Sequence, residues 1–465
     1  MKIKLSSFLV NFFLVLLCFF LRVPMLFSCA LLLWINAFLY SIDKLGKRSL
    51  LFVFLIAFFV FLMGREIVEQ FFGYKVEQFE INVNTHAWKC LVLSLASLWF
   101  SYIVFEKRND KVDQISRIKE TNSYIHENLL IEKIAFYLFV VSWVFAVTSR
   151  IIVGKYVSST SYWDYYTGYS EYLSGNIILY IISKLELVMP VALSLFMASI
   201  PSKKRFALPC IMYVFYLGLS ILGGQRSTFM LGVMFLAFYF LFRQEINPEE
   251  GWFKRKHIFI GVLLLPVLAY LLTAWSYWRG GVEAEGITVF NGFENFLYDQ
   301  GVSLNAVKNA YKFRAQIPRQ VYSLEFLHSG IWARILGITV YHGNTIEHAL
   351  YGGSLTHSLG YTVLGTTYLA GVGTGSSYIA EVFFDFGYIG VILGNIIYSI
   401  VLANANRIGR KNNTYTVALR FYVVNQILWA PRASFTGFIG TVFTPTTVAA
   451  FVAVFFLDKL FRRRQ

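Results

Sequence analysis

The stretch from Leu217 to Leu236, LGLSILGGQRSTFMLGVMFL, decides how the rest of the chain is read. Two apolar runs, each long enough to be most of a membrane-crossing helix, flank a short link, Gly223-Gly224-Gln225-Arg226-Ser227, whose charge is Arg226. Only a helix or a closed barrel satisfies its own backbone in lipid, so this pattern reads as two helices that cross, turn sharply and cross back. The composition extends the reading to the whole chain. Hydrophobic residues make up 57% and charged residues 14%, against roughly 25% charged in a soluble domain. The fold class is therefore all-α, a polytopic integral membrane helical bundle. A net charge of +15 raises the question of nucleic acid, but basic loops on the cytoplasmic side account for it, and no nucleic-acid partner is expected.

Apolar runs predict about twelve transmembrane helices, near 5–21, 24–40, 50–63, 90–105, 134–149, 176–200, 206–222, 228–242, 258–275, 378–403, 414–430 and 443–457. The basic start and apolar run of residues 1–21 have the shape of a signal sequence, but no small-residue cleavage site follows, so this is read as an uncleaved first helix. With both termini inside, the inner segments collect most of the 41 lysines and arginines, as the positive-inside rule requires. The chain then forms a single membrane domain, 1–465, with three sizeable outer segments: Gly64 to Lys89, Arg150 to Gly175, and a large extracytoplasmic loop, 276–377, between helices 9 and 10. That loop is too rich in aromatic and aliphatic residues to be disordered and is expected to fold as short helices. Cys18, Cys29, Cys90 and Cys210 fall in or beside apolar runs without paired spacing and read as structural thiols.

Arg226 opens a helix, so free amide N–H groups and the positive end of the helix dipole face the same side as its guanidinium, with Ser227 and Thr228 beside it and two glycines before it. This is the make-up of a phosphate seat, against the simpler alternative of an arginine reaching up to the interface. Arg150 at the end of a predicted helix, Arg279 in AWSYWRGG, and Arg314, Arg319 and Arg334 in the long loop could share one anion, because the guanidinium fork grips two phosphate oxygens and stays charged. The segment YVSSTSYWDYYTGYSEY, 156–172, places Tyr162, Trp163, Tyr165 and Tyr166 among short polar residues. Such rings suit the C–H face of a sugar, and equally suit an interfacial aromatic belt. In GVGTGSSYIAEVFFDFGYIGVILG, 371–394, a glycine-rich strip enters a helix carrying Glu381 and Asp385 one turn apart on one face, as catalytic groups or as salt-bridge partners.

GGQRS between two helices, a long outer loop begun by YWRGG, and GVGTGSSYIAEVFFDFGYIG entering the next helix together resemble the bacterial O-antigen and oligosaccharide repeat-unit polymerases of the Wzy type, related to the O-antigen ligases. The similarity covers about Leu217 to Gly394, and the helix number agrees over the rest. It implies an enzyme of the bacterial inner membrane whose site faces the periplasm. Its donor and acceptor would be undecaprenyl-pyrophosphate-linked glycans, with membrane lipid around it and a chain-length regulator protein as a candidate partner. By this likeness Arg226 and Arg279 hold the donor pyrophosphate, and Arg319, spaced from Gly330 as arginine and glycine are in some members, is a third. Glu381 is the first candidate for the base that takes the acceptor's proton and His357 the second. Transfer is expected to invert the anomeric centre, with no cofactor and no metal; Glu283 and Glu285 come nearest to a ligand pair. Two other functions were weighed. The ligases usually carry a histidine where this chain has Ser376 or Ser377, and a lipid-linked oligosaccharide flippase would line its helices with charge.

Overall fold

The computed structural model describes residues 2–74, 76–113, 129–160, 163–253, 261, 264, 266–275, 288–405 and 413–462. The described residues are helical, without strands. In chain order the longer helices are α1 (Lys2–Phe20), α2 (Met25–Asp43), α3 (Ser49–Phe72), α4 (Ile81–Asp113), α5 (Leu129–Ser159), α6 (Ile177–Ala198), α7 (Lys203–Leu222), α8 (Arg226–Ile246), α9 (Pro266–Trp275), α10 (Val289–Gln300), α11 (Ser303–Lys312), α12 (Leu355–Leu364), α13 (Tyr378–Ala405), α14 (Thr414–Trp429) and α15 (Pro445–Arg462).

Among the described residues, eight helices are long and apolar enough to cross a membrane: α2 to α8 and α13. The count of twelve expected from apolar runs is thus not reached by length and composition. The remaining four positions fall short among the described residues, and most of 258–265 in the ninth expected helix lies outside them. α14 has 16 residues, α15 carries Asp458, Lys459 and Arg462 near its end, and α1 and α9 contribute the shorter apolar stretches Phe8–Phe20 and Pro266–Trp275. A second boundary also moves. The helix expected to stop at residue 149 continues to Ser159, because Val153 and Val157, four residues apart, keep a buried apolar face on the next turns. Arg150 is therefore inside α5 rather than at its end.

Buried charges at the helix ends come with partners, as a low-dielectric interior requires. Where α2 ends and α3 begins, Arg48 donates to both oxygens of Glu106 on α4 at 2.8 and 2.9 Å, and its guanidinium lies over Tyr40. At the far end of α3, Glu66 is buried between Trp88 Nε1, 2.9 Å away, and Lys308 Nζ on α11, 2.5 Å away. That second lock seats the 288–377 segment on the end of the bundle where α3 finishes and α4 begins. The seat is tight. A Cβ on Gly301, between α10 and α11, would lie 2.4 Å from the backbone nitrogen of Arg65, and one on Gly64 would lie 2.6 Å from the Leu297 carbonyl. Arg65 Nε donates to Tyr298 O at 2.8 Å across the same contact. The described part of the long loop is, as its composition predicts, a run of short helices.

Removing one partner of a buried ion pair strands the other, at a cost of about 3–5 kcal/mol, whereas removing both leaves no unpaired charge. Lys308→Met should therefore lower the thermal midpoint of the detergent-solubilised protein more than the double change Glu66→Gln/Lys308→Met does. Equal or larger loss in the double variant would show that the pair does not hold the 288–377 segment in place.

Candidate functional site

Four helices converge on the guanidinium of Arg150. Glu186 of α6 pairs with Nη2, Tyr216 Oη of α7 accepts from Nε at 3.1 Å and from Nη2 at 2.8 Å, and Gln225 at the head of α8 accepts from Nη1 through Oε1. The carboxylate of Glu186 in turn accepts from Tyr216 Oη at 3.0 Å and Ser149 Oγ at 2.5 Å as well as from the arginine. These contacts engage four of the five guanidinium protons and leave one, on Nη1, for a ligand. Local sequence sets the geometry. Asn176 caps α6 by accepting from the amides of Ile178 and Leu179, which starts the helix that delivers Glu186. Gly224, at φ 77°, makes the sharp turn that delivers Gln225.

Gln225 also reaches the aromatic loop, donating from Nε2 to Tyr165 Oη at 2.8 Å. Tyr165 stacks on Tyr169 with ring centroids 5.0 Å apart and meets Tyr166 edge-on at 5.3 Å. The loop is packed closely against the glycine-rich strip: Gly371 has φ 98°, and a Cβ there would lie 2.8 Å from the Trp163 carbonyl. Over this network opens a cavity of about 520 Å³. Arg150 and Glu186 line it together with Tyr165, Tyr166 and Tyr169, and its other wall carries His342, Asn344 and His357. Aromatic faces edged with hydroxyls beside a charged pair suit an oligosaccharide with an anionic end.

His357 sits on α12. Its Nδ1 is 2.8 Å from Tyr368 Oη, and that hydroxyl is 3.4 Å from Thr345 O. Tyr368 Oη carries one proton, so Nδ1 either accepts it or donates to the oxygen, according to the imidazole tautomer. The ring stacks on His348 with centroids 3.5 Å apart. Burial, reinforced by His348, lowers the pKa of His357 to about 3, so the ring is neutral at physiological pH. His348 is lowered too, first by burial, although its bond to Gly343 O opposes the shift.

The structure brings Arg150, Tyr165, Tyr166 and His357 to one cavity and places the other expected residues elsewhere. Arg226 is the first residue of α8, as expected, but Nη1 lies 3.5 Å from Asp299 Oδ2 and 3.4 Å from Leu272 O, so the side chain reaches α9 and α10. Trp163 and Arg319 are exposed and line no part of the cavity. Arg279 and Tyr162 lie outside the described residues. Glu381 is fully buried at the start of α13, accepting from Phe435 N at 2.8 Å and Ser376 Oγ at 3.2 Å, and Asp385 accepts from the amides of Tyr322 and Ser323 at 3.2 and 2.7 Å. Both carboxylates thus hold backbone of neighbouring loops. Sequence reasoning missed Glu186, Tyr216 and Gln225. A signal existed for one of them, since Glu186 is a carboxylate inside a predicted spanning helix, where charge is costly.

A family model described as O-antigen polysaccharide polymerase Wzy matches residues 3–465. No curated protein and no solved structure matches the chain.

The depressed His357 gives a test of the cavity wall through pH. Its folded-state value lies below the ordinary 6.5, so the unfolded chain takes up the proton first. Stability from the neutral ring is complete above pH 6.5 and falls as pH drops toward about 3, by at most about 1.4 kcal/mol per pH unit. Thermal midpoints of wild type and His357→Gln should therefore converge between pH 7.5 and 5. A gap that stays constant over that range would mean that His357 titrates normally.

Proposed function

The chain belongs to the O-antigen polysaccharide polymerase Wzy family, and from that premise we propose that the cavity over Arg150 is where it joins lipid-linked repeat units. The protein is a multi-pass membrane enzyme, and its family works on lipid-linked oligosaccharides. In this proposal the donor is a glycan on undecaprenyl pyrophosphate and the site faces the periplasm of the inner membrane. The observation that carries it is the single cavity in which a partly satisfied arginine, a tyrosine cluster and a neutral histidine meet.

Each part has a physical task. The remaining Nη1 proton of the Arg150 fork meets the pyrophosphate, whose charge rises as it leaves, so a preset cation stabilises the transition state more than the ground state. Glu186 and Tyr216 hold that fork before substrate arrives. Gln225 ties Arg150 to Tyr165, while Arg226, the next residue, is turned toward Asp299 and has no part in this cavity. The faces of Tyr165 and Tyr166 receive the sugar. We assign the base to His357 rather than Glu381, since Glu381 is closed off and His357 lines the cavity as a neutral imidazole.

The step balances without a cofactor. An acceptor sugar hydroxyl attacks the anomeric carbon of the donor sugar, and the new glycosidic C–O bond forms on the side opposite the leaving group. The bond from that carbon to the pyrophosphate oxygen breaks, its electron pair leaves with undecaprenyl pyrophosphate, and the hydroxyl proton goes to His357. One displacement inverts the anomeric centre. The guanidinium supplies the positive charge that a metal would otherwise bring, so transfer is proposed to be metal-independent.

The test is polymer length in cells at equal protein level. Arg150→Lys keeps the charge opposite Glu186 but loses the fork, and should reduce polymerisation about a hundredfold, to single repeat units. Tyr165→Phe should shorten chains far less. Normal chains from Arg150→Lys would remove Arg150 from the mechanism. With purified enzyme, rates should be unchanged by chelator, and recovery only on adding a divalent cation would contradict the metal-independent step.

A further inference from the structure

The short helix Gly330–Leu336, GIWARIL, stands apart from the cavity and is unusually exposed for its composition. Ile335 is 67% exposed and Leu336 52%, with Arg334 exposed beside them, and the adjoining turn Tyr322–His328 and the residue before it leave Leu324 and Val321 open as well. Left-handed glycines stop this helix on both sides, Gly330 at φ 60° and Gly337 at φ 66°. It is not loosely attached. Ile331 N donates to Phe443 O at 3.2 Å, the Trp332 and Phe443 rings lie 5.2 Å apart, and a Cβ on Gly330 would lie 3.0 Å from the same carbonyl.

Phe443 and Thr444 lead directly into Pro445, where α15 begins. From there α15 carries large apolar side chains outward at helical spacing, Val448, Val452, Phe456 and Leu460, the row a helix shows to lipid. Its basic residues, Lys459 and Arg462, are at the opposite end. The helix Gly330–Leu336 therefore sits at the head of α15, at the end opposite its basic residues. A rigid element that offers two aliphatic side chains and an arginine, with Trp332 packed inward on Phe443, fits the water–lipid interface, with the aliphatic groups below and the cation among phosphates.

We infer that Gly330–Leu336 is an interfacial anchor that inserts Ile335 and Leu336 into the bilayer and sets Arg334 against lipid phosphates. The partner is membrane phospholipid. The anchor would fix the height of the 288–377 segment relative to the membrane. It rests on exposure and on the contact with the start of α15, independently of the chemistry proposed for the cavity.

Carbene footprinting of the unmodified full chain in phospholipid nanodiscs tests this without any variant that could misfold. One arm uses a phospholipid with a diazirine high on its acyl chain, the other a water-soluble diazirine, and labelled peptides are read by mass spectrometry. The peptide holding Ile335 and Leu336 should be labelled several-fold more by the lipid reagent than the peptide holding exposed Glu347, and several-fold less by the water reagent. Labelling of Ile335 and Leu336 mainly from water would overturn the inference, since the helix would then lie in solvent. Protection from both reagents would overturn it too, because the patch would then be covered by protein.

Discussion

A guanidinium placed among apolar helices is the constraint on which this structure turns. Arg150 lies inside α5, and a charge there is tolerable only if its environment supplies compensation. α6 brings the carboxylate of Glu186, α7 brings the hydroxyl of Tyr216, and the turn before α8 brings the amide of Gln225. Satisfying one charge thus draws four helices together. The partners leave one guanidinium proton, on Nη1, unused, and it is this proton that the proposed mechanism gives to the substrate.

The second organising feature is the way the 288–377 segment is fastened. The buried pair of Glu66 and Lys308 and the backbone contact at Gly64 and Gly301 tie its first helices to α3. Glu381 and Asp385 at the head of α13 hold the amides of Phe435, Tyr322 and Ser323. Gly371 lets the glycine strip lie against the aromatic loop. With these seats occupied, the stretch from His342 to His357 forms the wall of the cavity opposite Arg150. The cavity is therefore a product of fastenings distributed over most of the chain, although its lining residues come from a few short segments.

The class of fold was legible in the apolar runs, since burial in lipid imposes a length and a composition on every crossing helix. The site was only partly legible. Arg150, Tyr165, Tyr166 and His357 were within reach because arginines, clustered tyrosines and a histidine in outer segments point to anionic glycans. In the sequence Glu186 is marked only as a costly charge inside a predicted helix, and Tyr216 and Gln225 are not marked at all, because the role of all three lies in which helices adjoin α5, and no spacing along the chain encodes that. The carboxylates of α13 mislead for a related reason: a costly charge at a helix mouth signals function or a structural partner equally, and only the positions of Phe435, Tyr322 and Ser323 reveal which contacts Glu381 and Asp385 make. The same sequence that places Arg226 at a helix start does not reveal that its side chain turns toward Asp299.

The central claim is that the oligosaccharide sits between the tyrosine loop and the His357 wall, above Arg150. Cross-linking with a lipid-linked repeat unit that carries a photoreactive group on its reducing-end sugar addresses it most directly, because contact is read without relying on turnover. The account predicts that the cross-linked peptides come from residues 163–173 and 342–357, and that excess unlabelled substrate suppresses them. Cross-links confined to the neighbourhood of Glu381, in 322–328 and 434–438, would place the sugar on the other side of the glycine strip and contradict it.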